Sequence, residues 1–397
     1  INIDGGLPLS AFGDLRTIEL SPVMQNSFEY TVSNTEIGAI GVTGSGAVTQ
    51  AQAMCVINTG STTGSTAGWE AVKHAKYRPG FGGVMRFTAL FTVGVAGTEQ
   101  MAGIVDTVGV TASHRNGYAV GYDGVNFSFL RYQNDTLFTV NQSAWDDPMD
   151  GTGASGMTLD PTKLNVYFIQ FQYLGAGAIK LFIENDATGN MVLAHTLLYA
   201  NLNTTPSIFN PNFRMKICAI NKDTNANLTV KSASMAYFIE GKTKYVELQS
   251  PQFSTGTRTK SGITTTAALF TIKNKNTYAS LNNYLDLVLE SLSISIEANS
   301  ANNQASLELV KNATIGGVPS YTDIHVTNSI VSIDVAGTTV TGGRPLINVQ
   351  LAGKNDRDIV NITDYDIILT PNDTLTFAVT STNSATFKGS LLWKELF

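Results

Sequence analysis

Alternation of apolar and polar residues with a period of two runs through most of this 397-residue chain, and it admits half-buried strands and little else. In Asn165 to Tyr173, the residues Tyr167, Ile169, Phe171 and Tyr173 fall on one face, with Phe168, Gln170 and Gln172 on the other. Ile179, Leu181 and Ile183 repeat the phase against Lys180, Phe182 and Glu184, and Leu174-Gly175-Ala176-Gly177 between them predicts a hairpin. Met85 to Val93 and Asn126 to Tyr132 read as further strands. No stretch carries a convincing helical period, so the chain is expected to be all-β.

The composition agrees. Charged residues are 14%, against roughly 25% in an average soluble domain, while 19 Phe and 14 Tyr argue against disorder. A net charge of −6 and the absence of a Lys/Arg cluster speak against nucleic acid, which needs a basic surface to neutralise phosphates. No run approaches the ~20 apolar residues of a membrane-spanning helix, so no membrane partner is expected either. Two cysteines, Cys55 and Cys218, are too few for a disulfide framework and read as buried small apolar residues, with a single bridge left open.

At this length two or three domains are expected. Residues 1–78 are the least regular and read as an N-terminal arm with short strands. Residues 79–242 hold the clearest strands and read as a jelly-roll or lectin-like β-sandwich, and residues 243–397 as a second sandwich. The expected fold is therefore two tandem antiparallel β-sandwich, jelly-roll-like domains behind an arm. In the third region Leu285, Leu287 and Leu289 share one face, then Leu292, Ile294 and Ile296 share a face in opposite phase. One extra residue near Glu290 and Ser291 reconciles them, which predicts a β-bulge in one long strand. The apolar stretch Leu391 to Phe397 is expected to lie in a sheet or an interface.

Residues that could do chemistry are sparse. His74, His114, His195 and His325 are scattered, with no ligand partner at metal spacing, so no zinc and no cofactor are expected. A glycosidase needs two facing carboxylates. The pairs Glu184/Asp186 and Asp364/Asp366 have a suitable spacing, but each runs into a turn or a loop. The chain is accordingly expected to be non-enzymatic, with no catalytic residues. Asp146, Asp147 and Asp150 cluster around a turn that resembles no EF-hand, and form a weak calcium candidate. Trp145, Tyr118, Tyr122 and Tyr132 are candidates for stacking on sugar rings, weighed against a role in the sandwich core.

Several ordered stretches carry a family likeness. They are Lys76-Tyr77-Arg78-Pro79-Gly80-Phe81-Gly82-Gly83 with Arg86 to Thr92, then Val120-Gly121-Tyr122-Asp123-Gly124, Trp145 and Met149-Asp150-Gly151-Thr152-Gly153. Gly156 to Lys163 and Asn203 to Pro211 follow in order, with looser likeness at Ala11 to Leu15 and Ser390 to Phe397. In these the chain resembles virion structural proteins of tailed phages, of the fibre, appendage or capsid-decoration type. It departs from that pattern between Asp106 and Arg115, where the run Val108-Gly109-Val110-Thr111 looks inserted.

The resemblance implies an outer component of a bacteriophage virion: a capsid decoration, head fibre or tail appendage. Its partners would be further copies of itself, with a trimer expected, and other virion proteins. The alternative is a carbohydrate- or receptor-binding adhesin on the same particle, with a host-surface glycan as partner.

Overall fold

A computed structural model of the chain describes residues 20–107, 109–110, 114–241, 250–298, 304–352 and 354–397. Two compact units divide it, residues 1–243 and 244–397. Among the described residues there is no α-helix, and every strand pairing is antiparallel. The all-β architecture of antiparallel sheets expected from the period of two is what the chain adopts.

The first unit contains β1 (Leu20–Ser27), β2 (Gly38–Thr43), β3 (Ala47–Ala51), β4 (Met54–Asn58), β5 (Thr66–Ala71), β6 (Gly83–Phe91), β7 (Thr98–Thr107) and β8 (His114–Asp123). It continues with β9 (Asn126–Gln133), β10 (Thr136–Asn141), β11 (Asn165–Phe171), β12 (Ile179–Glu184), β13 (Met191–Leu197), β14 (Arg214–Asn221), β15 (Thr229–Ser232) and β16 (Ser234–Glu240). One sheet runs β13-β12-β11-β6-β15-β4-β3, with β16 added on β6 and β1 on β16; the other runs β10-β9-β8-β7-β14-β5-β2. Residues read as an arm thus supply β1 to β5 to both sheets, and the part of that segment before residue 20 lies outside the described residues.

Between the sheets lies an aromatic core that includes Trp69, Phe91, Phe129, Tyr167, Phe171, Phe213 and Tyr237. Each fully buried Phe stabilises the unit by roughly 1.5–3 kcal/mol relative to exposure, so this layer dominates its cohesion. The predicted hairpin is β11–β12, in register from Tyr167↔Ile183 to Phe171↔Ile179. Its apolar phase points inward: Tyr167, Ile169 and Phe171 are fully buried.

The second unit is likewise built on two six-stranded sheets. Its long strand Leu287–Ala298 pairs with Ala385–Glu395, and the register slips between Leu289 and Ser291, so Glu290 is the extra residue the phase reversal demanded. The bulge is used as an anchor. Glu290 holds Lys394 at 2.7 Å through its carboxylate and accepts the Ile362 N–H on its carbonyl. The apolar C-terminal stretch belongs to strand Ala385–Glu395, which pairs with three others, and Trp393 is fully buried in the core with Phe270, Phe377 and Phe387.

Candidate functional site

The seven-stranded sheet is strongly curved, and its register shows why. Tyr132 pairs with Gly117, which pairs with Val105, six residues beyond Glu99 on β7. On a flat sheet that offset is roughly 20 Å at ~3.4 Å per residue. Yet the Tyr132 hydroxyl donates to Glu99 Oε1 at 2.9 Å, so the face they share is concave. Gly103, Gly117, Ala119 and Gly121 share that face by parity. A Cβ on Gly103 would sit 2.3 Å from the Tyr118 carbonyl oxygen and one on Gly117 2.3 Å from that of Ile104, so side chains there would block the bend.

This hollow is occupied. Met101, Val105, Leu130, Tyr132 and Cys218 fill it as a small apolar cluster, and buried ionisable groups surround them. Burial alone would raise the Glu99 carboxyl, but His114 at 3.1 Å and the Lys222 ammonium at 2.9 Å outweigh it and hold its pKa at about 2. Burial, helped by the Lys216 charge, pushes His114 below its ordinary value. Glu70 pairs with Arg214 at 2.9 Å and faces fully buried Lys216 at 3.8 Å. Lys216 Nζ reaches the Gly109 carbonyl at 3.3 Å, and a Cβ on Gly68 would meet the Val110 carbonyl at 2.9 Å. Of the run that looked inserted, Gly109 and Val110 therefore lie against this face, and Val108 and Thr111 lie outside the described residues. Cys218 here, like Cys55 on β4, is a free buried thiol that burial pushes up to about 12.

An open pocket instead lies at one end of the first unit, with a volume of about 340 Å³. Three segments build it: the turn from β8 to β9, the end of β10 with the 3-10 turn Gln142–Ala144, and residues 148–161. Tyr122 and Phe127 are its apolar floor, at 5.1 Å edge to face, braced by Phe91 and Trp145 behind Phe127. Asn126, Asn141, Gln142, Ser143 and Asp150 supply polar groups, and Val125, Pro148 and Pro161 complete the rim.

The acidic loop is held by its own carboxylates. Asp147 accepts the N–H groups of Met149 and Ser155, at 3.1 and 2.8 Å. Asp150 Oδ1 accepts the Thr152 N–H at 2.9 Å, and Asp146 accepts the Thr196 N–H at 2.8 Å beside His195. A Cβ on Gly153 would lie 2.0 Å from Asp147 Oδ1, so the glycine is required where the loop closes on itself. Leu159 N–H to the Met149 carbonyl, 2.8 Å, zips the loop's two limbs. The three carboxylates considered for calcium are thus turned to three different backbone segments, and no metal-holding group of His, Cys, Asp and Glu occurs among the described residues.

Of the four aromatics considered for sugar stacking, three are corrected. Tyr118 is fully buried, with its hydroxyl 3.1 Å from Ser207; Tyr132 is committed to Glu99; Trp145 is buried and donates to the Val140 carbonyl at 2.9 Å. Both faces of β8 and β9 are covered, so strand parity could not distinguish a surface ring from a core ring. Tyr122, itself mostly buried at 7% exposure, is the one of the four whose edge lines the pocket. Asn126, Asn141 and Gln142 were missed: they are ordinary turn residues until folding joins them to Asp150. Of the scattered acids, Glu184 ends β12 and Asp186 falls in the exposed turn after it, while Asp364 lies in the 3-10 turn Thr363–Tyr365 with Asp366 just after it.

No protein-family model matches the chain, and no curated protein matches it in sequence. Solved structures are similar to it at low identity. A β-glucanase of Bacillus licheniformis is 12% identical over 56% of this chain and 99% of its own, with a TM-score of 0.37. A glycosyl hydrolase family protein of Mycobacterium fortuitum is 11% identical over 55% and 99%, with a TM-score of 0.37. The Emp47p carbohydrate recognition domain is 11% identical over 55% and 96%, with a TM-score of 0.35. At these scores none lends this chain its activity. The expectation of a non-enzymatic chain is nevertheless corrected, because glycosyl hydrolases recur among the similar structures and scarcity of catalytic residue types does not exclude catalysis.

Proposed function

We propose that this chain is an outer component of a bacteriophage virion that recognises saccharides on a surface. The observation that carries the recognition half is the end pocket, in which an aromatic floor meets three side-chain amides, a hydroxyl and one carboxylate. Sugars present both C–H patches and closely spaced hydroxyls, and such a mixed wall answers both. The virion half, with assembly into a homo-oligomer, a trimer in our reading, rests on the ordered likeness of residues 76–92, 120–124, 149–163 and 203–211 to virion proteins. The stretches 120–124 and 149–163 also contribute Tyr122, Asp150 and Pro161 to the pocket.

The recognition half is tested by binding of immobilised glycans to the full chain and to Asn126→Ala. Asn126 is exposed, and its loss should abolish binding while leaving the melting temperature unchanged. Binding that survives in Asn126→Ala, or none by the natural chain, counts against the proposal. Mass spectrometry of purified particles tests the virion half.

A further inference from the structure

Accepting saccharide recognition at the end pocket, the pocket's charge and size narrow the ligand class. Among the residues lining it, Asp150 is the one ionisable group with a formal charge, and no Lys, Arg or His joins it. Two neighbouring acids have cations to offset them: Asp123 stands 3.4 Å from Lys222, and Asp160, next to Pro161, has the Lys163 charge nearby. Asp150 has no such partner among the described residues. Thr152 engages its Oδ1, by both N–H and hydroxyl, which leaves Oδ2 to accept from a ligand.

The remaining polar groups are neutral and oriented in part. Gln142 spends its NH₂ on the Pro148 and Met149 carbonyls, at 2.9 and 3.3 Å, so its Oε1 is left as an acceptor. Asn141 Oδ1 takes the Ser128 hydroxyl at 2.9 Å, so its NH₂ is left as a donor. Acceptor and donor thus come from adjacent residues at the end of β10, a pairing suited to two neighbouring hydroxyls, each of which donates and accepts. A volume of about 340 Å³ is at the low end of small-molecule sites, roughly 300–1,000 Å³, and suits one or two sugar rings rather than the middle of a long chain.

We infer that this pocket takes an uncharged terminal sugar bearing vicinal hydroxyls and rejects sugars that carry a carboxylate or a sulfate. An anionic group there meets Asp150 with no cation to receive it, and although Asp150 is exposed, so that water and salt weaken the repulsion, nothing in the pocket offsets it. Neutral hydroxyls instead donate to Oδ2 and to Gln142 Oε1 while a C–H face lies on Tyr122 and Phe127.

The test is isothermal titration of the full chain with neutral galactose- and glucose-terminated trisaccharides, and with sialylated, uronic-acid-terminated and sulfated counterparts. Neutral ligands should bind roughly three- to fivefold more tightly than anionic ones at low salt, with the gap closing as salt rises. Asp150→Asn keeps an acceptor for Thr152 but removes the charge. It should narrow the gap by raising affinity for the anionic set, with neutral binding reduced a few-fold. Equal or tighter binding of the anionic set overturns the inference while leaving saccharide recognition standing. Neutral preference that Asp150→Asn and Asn126→Ala both leave unchanged overturns the assignment to this pocket. No binding by any member of either set removes the inference together with the reading it rests on.

Discussion

The Tyr132 hydroxyl donates to Glu99 Oε1 at 2.9 Å although the two residues lie on strands whose register sets them six residues apart. That bond records the curvature of the seven-stranded sheet, and it satisfies a carboxylate that has almost no contact with water. Tyr132→Phe should therefore destabilise the chain by about 1–2 kcal/mol, the cost of a buried carboxylate losing one of its donors while His114 and Lys222 remain, without changing the strand content. Denaturant titration followed by circular dichroism checks both parts.

Acid sensitivity should be two-stage. His74 and His114 are held below their ordinary value by burial, then by Arg214 and Lys76 for the first and Lys216 for the second. For a histidine whose folded pKa is lowered, the unfolded chain takes up the proton first, so stability is complete above about 6.5 and falls as pH drops below it. Glu99 adds a second loss, because its pKa falls from 4.5 to about 2 on folding. Its contribution, of order 3 kcal/mol at ~1.36 kcal/mol per unit, is present above pH 4.5 and disappears towards 2. Urea midpoints measured from pH 8 to 3 should be level above 7, decline below 6.5 and drop more steeply below 4.5.

The concave face also makes a steric prediction. Gly103→Val would place Cβ 2.3 Å from the Tyr118 carbonyl oxygen, on backbone that cannot move without unpairing β7 from β8. A loss of at least ~2–3 kcal/mol is expected, enough to shift most of the chain to the insoluble fraction on expression. Gly80→Ala is a useful contrast in open space: a Cβ there meets nothing within 4 Å, although its φ of +88° favours glycine, so only a smaller loss is expected.

In the second unit, Glu395 accepts from Ser329 Oγ at 2.6 Å, Ile330 N–H at 2.9 Å and Trp393 Nε1 at 3.1 Å, tying the last strand to a distant loop. Glu395→Ala strands three buried donors and should cost about 2–4 kcal/mol. The emission of Trp393, fully buried, should redden at lower denaturant than in the natural chain.

What could be read from residues alone was whatever depends on local period. The β11–β12 hairpin, the bulge at Glu290 and the sheet role of Leu391 to Glu395 follow from phase and turn chemistry within a dozen residues. What depends on which face is covered could not be read. Tyr118 and Tyr132 sit on opposite faces of adjacent strands, and both are buried because both faces of that sheet are. Glu99 and Glu70 had a faint signal, as charges set among buried positions in a chain with few charges, but their partners come from β8, β9 and β14. The pocket too needed the folded chain, since it joins Tyr122 to Pro161 across three turns.

The position of a bound sugar tests the central claim most directly. Crystals of the full chain soaked with the tightest-binding neutral trisaccharide should show its terminal ring against Tyr122 and Phe127, within hydrogen-bonding reach of Asp150 Oδ2 and Gln142 Oε1. Density for the sugar on any other surface, or a pocket left empty by a ligand that binds in solution, would contradict it.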